Sequence, residues 1–335
     1  MIAALHGVVF CPVQGDTSAN AKIVDDFQVW AYPTFVALNE KGELIHRTMG
    51  YGDAAAWSGW LEGIKADPIA LAERRTRHER EPNFTDALAI GQAALSDNHC
   101  AEAERFFQQA SALDSAAAQE ANVPIYVLRA VYQGVQNGES TIAHATEVTS
   151  ALLQSPEAKP GQMLEACERM LRVVDQVGPE TVAPFLRMAH PRLVLLEEER
   201  YQARVHSFLT EYALYVEENP AKAIEMKRAS MDAGWDADPD ALNEFAWWCY
   251  ERRIGLEEAE RLARRAVELA QPGSQQANIL DTVAQIVFLH GDAAEAARLM
   301  QRAIEMDPEN EYFQEQLQKF TGADAPSPES AAQAS

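Results

Sequence analysis

Residues 277–310 read ANILDTVAQIVFLHGDAAEAARLMQRAIEMDPEN, and this stretch decides the fold. Leu280, Val283, Ala284 and Val287 recur at i, i+3, i+4 and i+7, the spacing of one face of a helix. Gly291 supplies a turn, a second helix presents Ala296, Met300 and Ala303, and Pro308 ends the unit. Small side chains at a helix crossing let two helices approach closely while larger ones fill the layers around them, so the pattern predicts a tight helical hairpin.

The pattern recurs upstream. Ala246 and Trp247 stand on a first helix, and Leu256-Glu257-Glu258-Ala259, Ala263 and Ala266 on a second; Ala259 and Ala296 are 37 residues apart. Ile90, Gly91, Ala94, Ala103, Phe107 and Ala110 give a third match. The unit resembles the tetratricopeptide repeat, whose period is about 34 residues. The match is closest over 240–320, with repeats at 240–273 and 277–310, partial over 85–113, and degraded between Ala110 and Asn243. Two repeats cannot bury their faces alone, so the degraded region is expected to complete the stack. The resemblance implies an all-α array of helical hairpins over 85–320 that grips a segment of a protein partner.

Before residue 66 the composition differs. Gly7–Cys11, Tyr32–Leu38 and Glu43–Met49 read as strands, the last two as an antiparallel hairpin turning at Lys41-Gly42. Helical spacing marks Thr17–Phe27 and Asp53–Lys65, giving the order β-α-β-β-α. The stretch Val8–Gly52, through Tyr32-Pro33-Thr34-Phe35-Val36 and the run Ile45 to Tyr51, resembles the second half of thioredoxin. That resemblance implies a cis Tyr32–Pro33 bond and a backbone at Tyr32, Pro33 and Thr34 that meets an extended peptide. It also exposes a departure, since the family's C-x-x-C is missing and would lie upstream of Met1. The fold class expected is therefore an α+β partial thioredoxin-like module at 1–66, a charged linker or helix at 67–84, the all-α tetratricopeptide-like array at 85–320 and a disordered tail at 321–335. An N-terminally truncated reading frame explains the missing half; a shortened domain that repairs its sheet by repacking or dimerising is the alternative.

Acidic residues outnumber basic ones by 51 to 28, a net charge of −23 that repels phosphate backbones and anionic lipid. Nucleic acid is thus not expected as a partner. No run reaches the roughly 20 apolar residues of a membrane span, so a soluble protein is expected. Cys11, Cys100, Cys167 and Cys249 form no C-x-x-C pair and lack histidines at zinc spacing, so all four read as inert, buried thiols and no metal or other cofactor is expected. Asp236, Asp238 and Asp240 open like a calcium loop, but Ala241 and Trp247 stand where Gly and Glu belong, and Asp238 reads better as the cap of a helix entered through Pro239.

In the cluster Phe245, Trp247, Trp248 and Tyr250, adjacent tryptophans on a helix point about 100° apart, so one fills the core while the other reaches the groove. Trp247, Trp248 and Tyr250 are accordingly the groove or core candidates of the array, and Tyr32, Pro33 and Thr34 the peptide-binding candidates of the module. No catalytic residue is assigned. The function expected is a protein-interaction scaffold carrying a redox-inactive module; the alternative is a thiol-disulfide oxidoreductase whose C-x-x-C lies upstream. Cytoplasmic residence is expected for the chain as it stands, and periplasmic residence if an upstream signal peptide is missing.

Overall fold

A computed structural model describes residues 6–15, 17–27, 29, 32–50 and 54–322. The tail beyond 322, expected to be disordered, lies outside the described residues, as does Tyr51. The chain divides into two compact units at Leu193/Val194, so the change of composition near residue 66 falls inside the first.

The first unit opens with a short helix α1 (Ala21–Asp26), strands β1 (Thr34–Leu38) and β2 (Leu44–Met49), and helix α2 (Ala54–Ala66). The strands pair antiparallel with Phe35 opposite Thr48 and Ala37 opposite His46, and the register shifts between Ala37 and Leu38. Asn39 builds the turn, its Oδ1 accepting from the backbone of Lys41 at 3.0 Å and Glu43 at 2.9 Å. The Tyr32–Pro33 bond is cis, as the thioredoxin resemblance implies.

The expected strand at 7–11 does not form. Its residues carry no regular structure, and Val9 and Phe10 are 89% and 62% exposed. An apolar run becomes a strand only when a neighbour takes its backbone N–H and C=O groups, and among the described residues the sheet has two strands. The order β-α-β-β-α is thus corrected to α-β-β-α.

Helix α3 (Leu71–Arg80) fills most of the segment read as a charged linker or helix, and ion pairs bind it to α4 (Phe84–Ser96). Buried Arg74 reaches Asp67 at 2.9 Å and Asp86 at 3.1 Å, and Arg77 reaches Asp86 at 2.5 Å. Burial works to raise the Asp86 carboxyl, but hydrogen bonds from Arg77, Asn83 and Arg74 outweigh it and hold the group below the usual carboxylate range. The strand pair is tied to the same helix. Buried Arg47 pairs with Asp97 and its carbonyl accepts from Ser96 Oγ, while His46 lies 3.1 Å from Gln92 and takes a hydrogen bond from Trp60.

Helices α4 and α5 (Cys100–Leu113) make the first hairpin. After the single turn α6 (Ser115–Glu120), α7 (Val123–Asn137) and α8 (Ile142–Gln154) make the second. Helix α9 (Pro160–Leu171), the turn α10 (Val174–Val177) and α11 (Pro179–Leu193) make the third. First helices of successive hairpins touch, and each second helix packs on the next first helix, α5 on α7 and α8 on α9.

The second unit repeats the plan with α12 (Gln202–Tyr215) and α13 (Pro220–Ala229), α14 (Pro239–Arg252) and α15 (Leu256–Leu269), α16 (Ser274–Leu289) and α17 (Ala293–Met306), and a closing helix α18 (Glu311–Thr321). Each unit is therefore a helical-repeat stack of the tetratricopeptide-like kind, and the region 114–239, where the sequence pattern fades, is built of the same hairpins.

Small residues mark the crossings: Ala223, Ala259 and Ala296, 36 and 37 residues apart, are wholly buried on the second helices of the three hairpins of this unit. Polar contacts between layers carry the same period. Arg129 meets Glu165 across 36 positions, His144 meets Glu104 across 40, and Tyr250 meets Gln285 across 35.

Gly91 shows how close the helices come, because a Cβ there would sit 2.7 Å from the ring of wholly buried Phe107, itself stacked on Tyr126 at 5.3 Å. Gly91→Ala gains about 1 kcal/mol of helix propensity, yet overpacking a filled core costs about 1–3 kcal/mol. The urea midpoint is expected to fall, and Phe107→Leu in the same chain to restore part of the loss. A second expectation concerns pH. The hydrogen bond from His144 to Glu104 at 2.7 Å raises the imidazole pKa against the pull of burial. Its stabilisation is full below the unfolded value of about 6.5 and is lost as pH rises through the elevated folded value. Urea titrations on either side of that window should show this pH-dependent loss in the wild type and a smaller one in His144→Gln.

Candidate functional site

Helix α16 is buried almost throughout from Ala277 to Phe288, and within Ile279–Phe288 its polar side chains are Asp281, Thr282 and Gln285. Burying polar groups costs free energy unless they are hydrogen-bonded, so their partners define what this face is built for. Gln285 uses its whole amide: Nε2 donates to Asp281 at 3.1 Å and to Gln316 at 2.8 Å, while Oε1 accepts from Tyr250 at 3.1 Å and Lys319 at 3.5 Å. Tyr312 donates to the other Asp281 oxygen at 3.4 Å. Helices α14, α16 and α18 therefore converge on one polar and aromatic cluster.

Its outer parts are accessible. Tyr312 is 42% exposed, Lys319 is exposed, and Trp247 and Tyr250 are half-buried with ring centroids 4.9 Å apart. Burial pushes the Asp281 carboxyl up, against hydrogen bonds from Gln285 and Tyr312. Burial, helped by the charge of Asp281, pushes the Tyr312 phenol up to about 12.

The next layer continues the column. Trp248 is buried and donates from Nε1 to Glu211 on α12 at 3.2 Å, and Arg252 grips the same carboxylate at 2.8 and 3.0 Å with its guanidinium 5.0 Å from the Trp248 ring. Glu211, Trp248 and Gln285 stand 37 residues apart in turn, the same position in three successive hairpins. Of the two tryptophans, then, Trp248 is the core residue, and Trp247, with Tyr250, is the one at the accessible edge. Asp238 caps α14, accepting from the backbone of Asp240 at 2.8 Å and Ala241 at 3.2 Å.

Asp281, Gln285, Gln316, Tyr312, Lys319 and Glu211 were not singled out in the sequence. Two signals could have found most of them: polar residues interrupting an otherwise apolar helix, and the 37-residue recurrence that puts Glu211 and Gln285 in register with Trp248.

A second concavity, a shallow depression lined by Glu257, Glu260, Arg261, Arg264 and His290, is satisfied from within. Arg264 pairs with Glu260 and Glu295, and His290 with Glu260. Tyr32, Pro33 and Thr34 belong to the first unit. Tyr32 is exposed, its ring lying against Gly15 so closely that a Cβ there would meet it at 2.5 Å, and Pro33 and Thr34 are half-buried.

Cys100, Cys167 and Cys249 are buried, and desolvation pushes their thiols up to about 11, 12 and 12. Cys11, expected to be buried in a strand, is exposed, because that strand does not form. Among the described residues no group of His, Cys, Asp and Glu is placed to hold a metal ion, and no helix is long and apolar enough to cross a membrane.

No protein-family model matches the chain, and no curated protein does. Among solved structures, the chain is similar to one in the crystal structure of the APC/C hetero-tetramer Cut9-Hcn1, at 13% identity and a TM-score of 0.41. The match covers 77% of this chain and spans about half, 51%, of that one. The fold rests on the repeat register described above.

Removing Arg252 tests the buried column. Arg252→Leu leaves the Glu211 carboxylate buried without its cation, a loss of about 3–5 kcal/mol in pairs of this kind. Adding Glu211→Gln should recover much of it, both read from urea unfolding at neutral pH.

Proposed function

We propose that the chain is a protein-interaction scaffold whose second unit binds an extended partner segment along the column running from Trp247 and Tyr250 to Tyr312. One observation carries the reading. Two buried, mutually bonded side chains of α16, Asp281 and Gln285, accept hydrogen bonds from Tyr312 of α18 and Tyr250 of α14, and the Trp247 ring lies against that of Tyr250. Aromatic anchors fixed by a buried polar network are the usual makings of a binding hot spot, since little side-chain freedom remains to be lost on association.

The N-terminal module enters the proposal as a redox-inactive, thioredoxin-like second contact, presenting Tyr32, Pro33 and Thr34. The exposure of Tyr32 supports that role. The three buried thiols, with their raised pKa values, suit an inert role.

Selection of peptides from a displayed library on the full chain tests the scaffold reading. Peptides so selected should bind Tyr312→Ala and Trp247→Ala at least about tenfold more weakly than wild type, the scale of hot-spot truncation, while circular dichroism stays unchanged. Equal binding by both variants overturns the reading.

A further inference from the structure

Among the described residues, the buried acids make ion pairs, with one exception. Asp86 is held by Arg74 and Arg77, and Glu211 by Arg252. Glu165, mostly buried, is held by Arg129 and Arg169. Asp281 is as enclosed as these, only 7% exposed, yet its hydrogen-bonding partners are the neutral Gln285 amide and Tyr312 hydroxyl. Lys319 acts on it only as a charge beyond ion-pair distance, and a buried carboxylate without an ion-pair partner is the costly arrangement that the other buried acids avoid.

We propose that Asp281, with Tyr250 and Tyr312 around it, takes the ammonium of a lysine side chain, so that the segment bound on this face is a basic peptide. The inference rests on reading this face as a binding surface. A carboxylate has about four acceptor sites, and the Gln285 and Tyr312 bonds leave capacity on the Oδ2 side, where Tyr312 is accessible. Lysine suits the site better than arginine. Its ammonium is a compact point charge, whereas a guanidinium reaches its full strength by gripping both oxygens side-on, and Oδ1 is engaged by Gln285.

The aromatic rings beside the site already hold one cation. The chain's own Lys319 lies at the rim, its Nζ 3.5 Å from Gln285 Oε1 and 5.7 and 5.8 Å from the Phe288 and Phe320 ring centroids. The phenol rings of Tyr250 and Tyr312 add electron-rich faces of the sort that attract ammonium groups. A net charge of −23 steers a basic segment toward the protein and repels an acidic one.

The test is fluorescence anisotropy on the full chain at near-physiological salt, with labelled, N-acetylated peptides alternating Ala with Lys, Nε-acetyl-lysine, Arg or Glu. The Lys peptide should bind about tenfold or more tightly than the acetyl-lysine peptide and more tightly than the Arg peptide. Asp281→Asn should weaken the Lys peptide about tenfold, while Glu268→Gln, which removes one exposed charge on α15, should change it less than about twofold. Thermal melts check the fold of Asp281→Asn, which loses a buried charge and should melt no lower than wild type.

Equal binding of the Lys and acetyl-lysine peptides, equal loss in the two variants, or tighter binding of the Arg peptide overturns the lysine assignment. If library-selected peptides still depend on Tyr312 in that case, the scaffold stands and only the lysine falls. If they do not, both fall.

Discussion

Within each unit, a hairpin can hide its inner faces only against the next hairpin, and everything else follows from how closely those layers approach. The small residues set that distance. Ala223, Ala259 and Ala296 hold the crossing positions of the second unit, and Gly91 admits the Phe107 ring in the first. Apolar contact of this kind is non-directional, so it does not choose which residue faces which. Polar contacts between layers make that choice, and they recur at 35 to 40 positions, as in Tyr250–Gln285, Arg129–Glu165 and His144–Glu104. Area drives the stacking; the hydrogen-bonded rungs fix its register.

The rungs also account for the buried charge. A buried ion pair adds little net stability over a well-packed apolar pair of the same size, but half of one is strongly destabilising. Arg47 with Asp97, Arg74 and Arg77 with Asp86, and Arg252 with Glu211 therefore penalise any sliding of one element along another. In the first unit they do more than set register. The β-hairpin alone is too small to be stable, and through Arg47 and His46 it leans on α4, the first helix of the stack. The module is thus an appendage of the array's first hairpin.

How much of this was legible in the sequence depended on whether the physical signal was local. Helical spacing and small crossing residues are local, so the hairpins at 240–273 and 277–310 could be read directly, as could the strand pair around Lys41-Gly42. The hairpin of α12 and α13 was harder. Its first helix has Glu211 where the later layers carry Trp248 and Gln285, so its apolar pattern departs from the repeat even though Ala223 keeps the spacing. The segment 67–84, legible as a charged linker or helix, hides its interior residues for the same reason. Arg74 and His78 look like solvent-facing residues in sequence, and only Asp86 and Gln109, 12 and 31 positions away, make them interior ones.

The expected strand at 7–11 is the opposite case, a local signal that tertiary context does not honour. Val8, Val9 and Phe10 have strong strand propensity, but propensity in a strand is largely the worth of packing against a paired neighbour. Pairing is also what decides the fate of Cys11. In a strand it would alternate into a protected face; without one it stands exposed while the helical cysteines, each inside a repeat layer, are sealed by their neighbours. The same logic separates the two tryptophans of α14. Nothing in the dipeptide Trp247-Trp248 says which one turns inward, but Glu211, one layer away, needs a donor as well as a cation, and the indole N–H of Trp248 supplies it. That bond directs Trp248 toward the core and leaves Trp247, beside Tyr250, at the accessible edge.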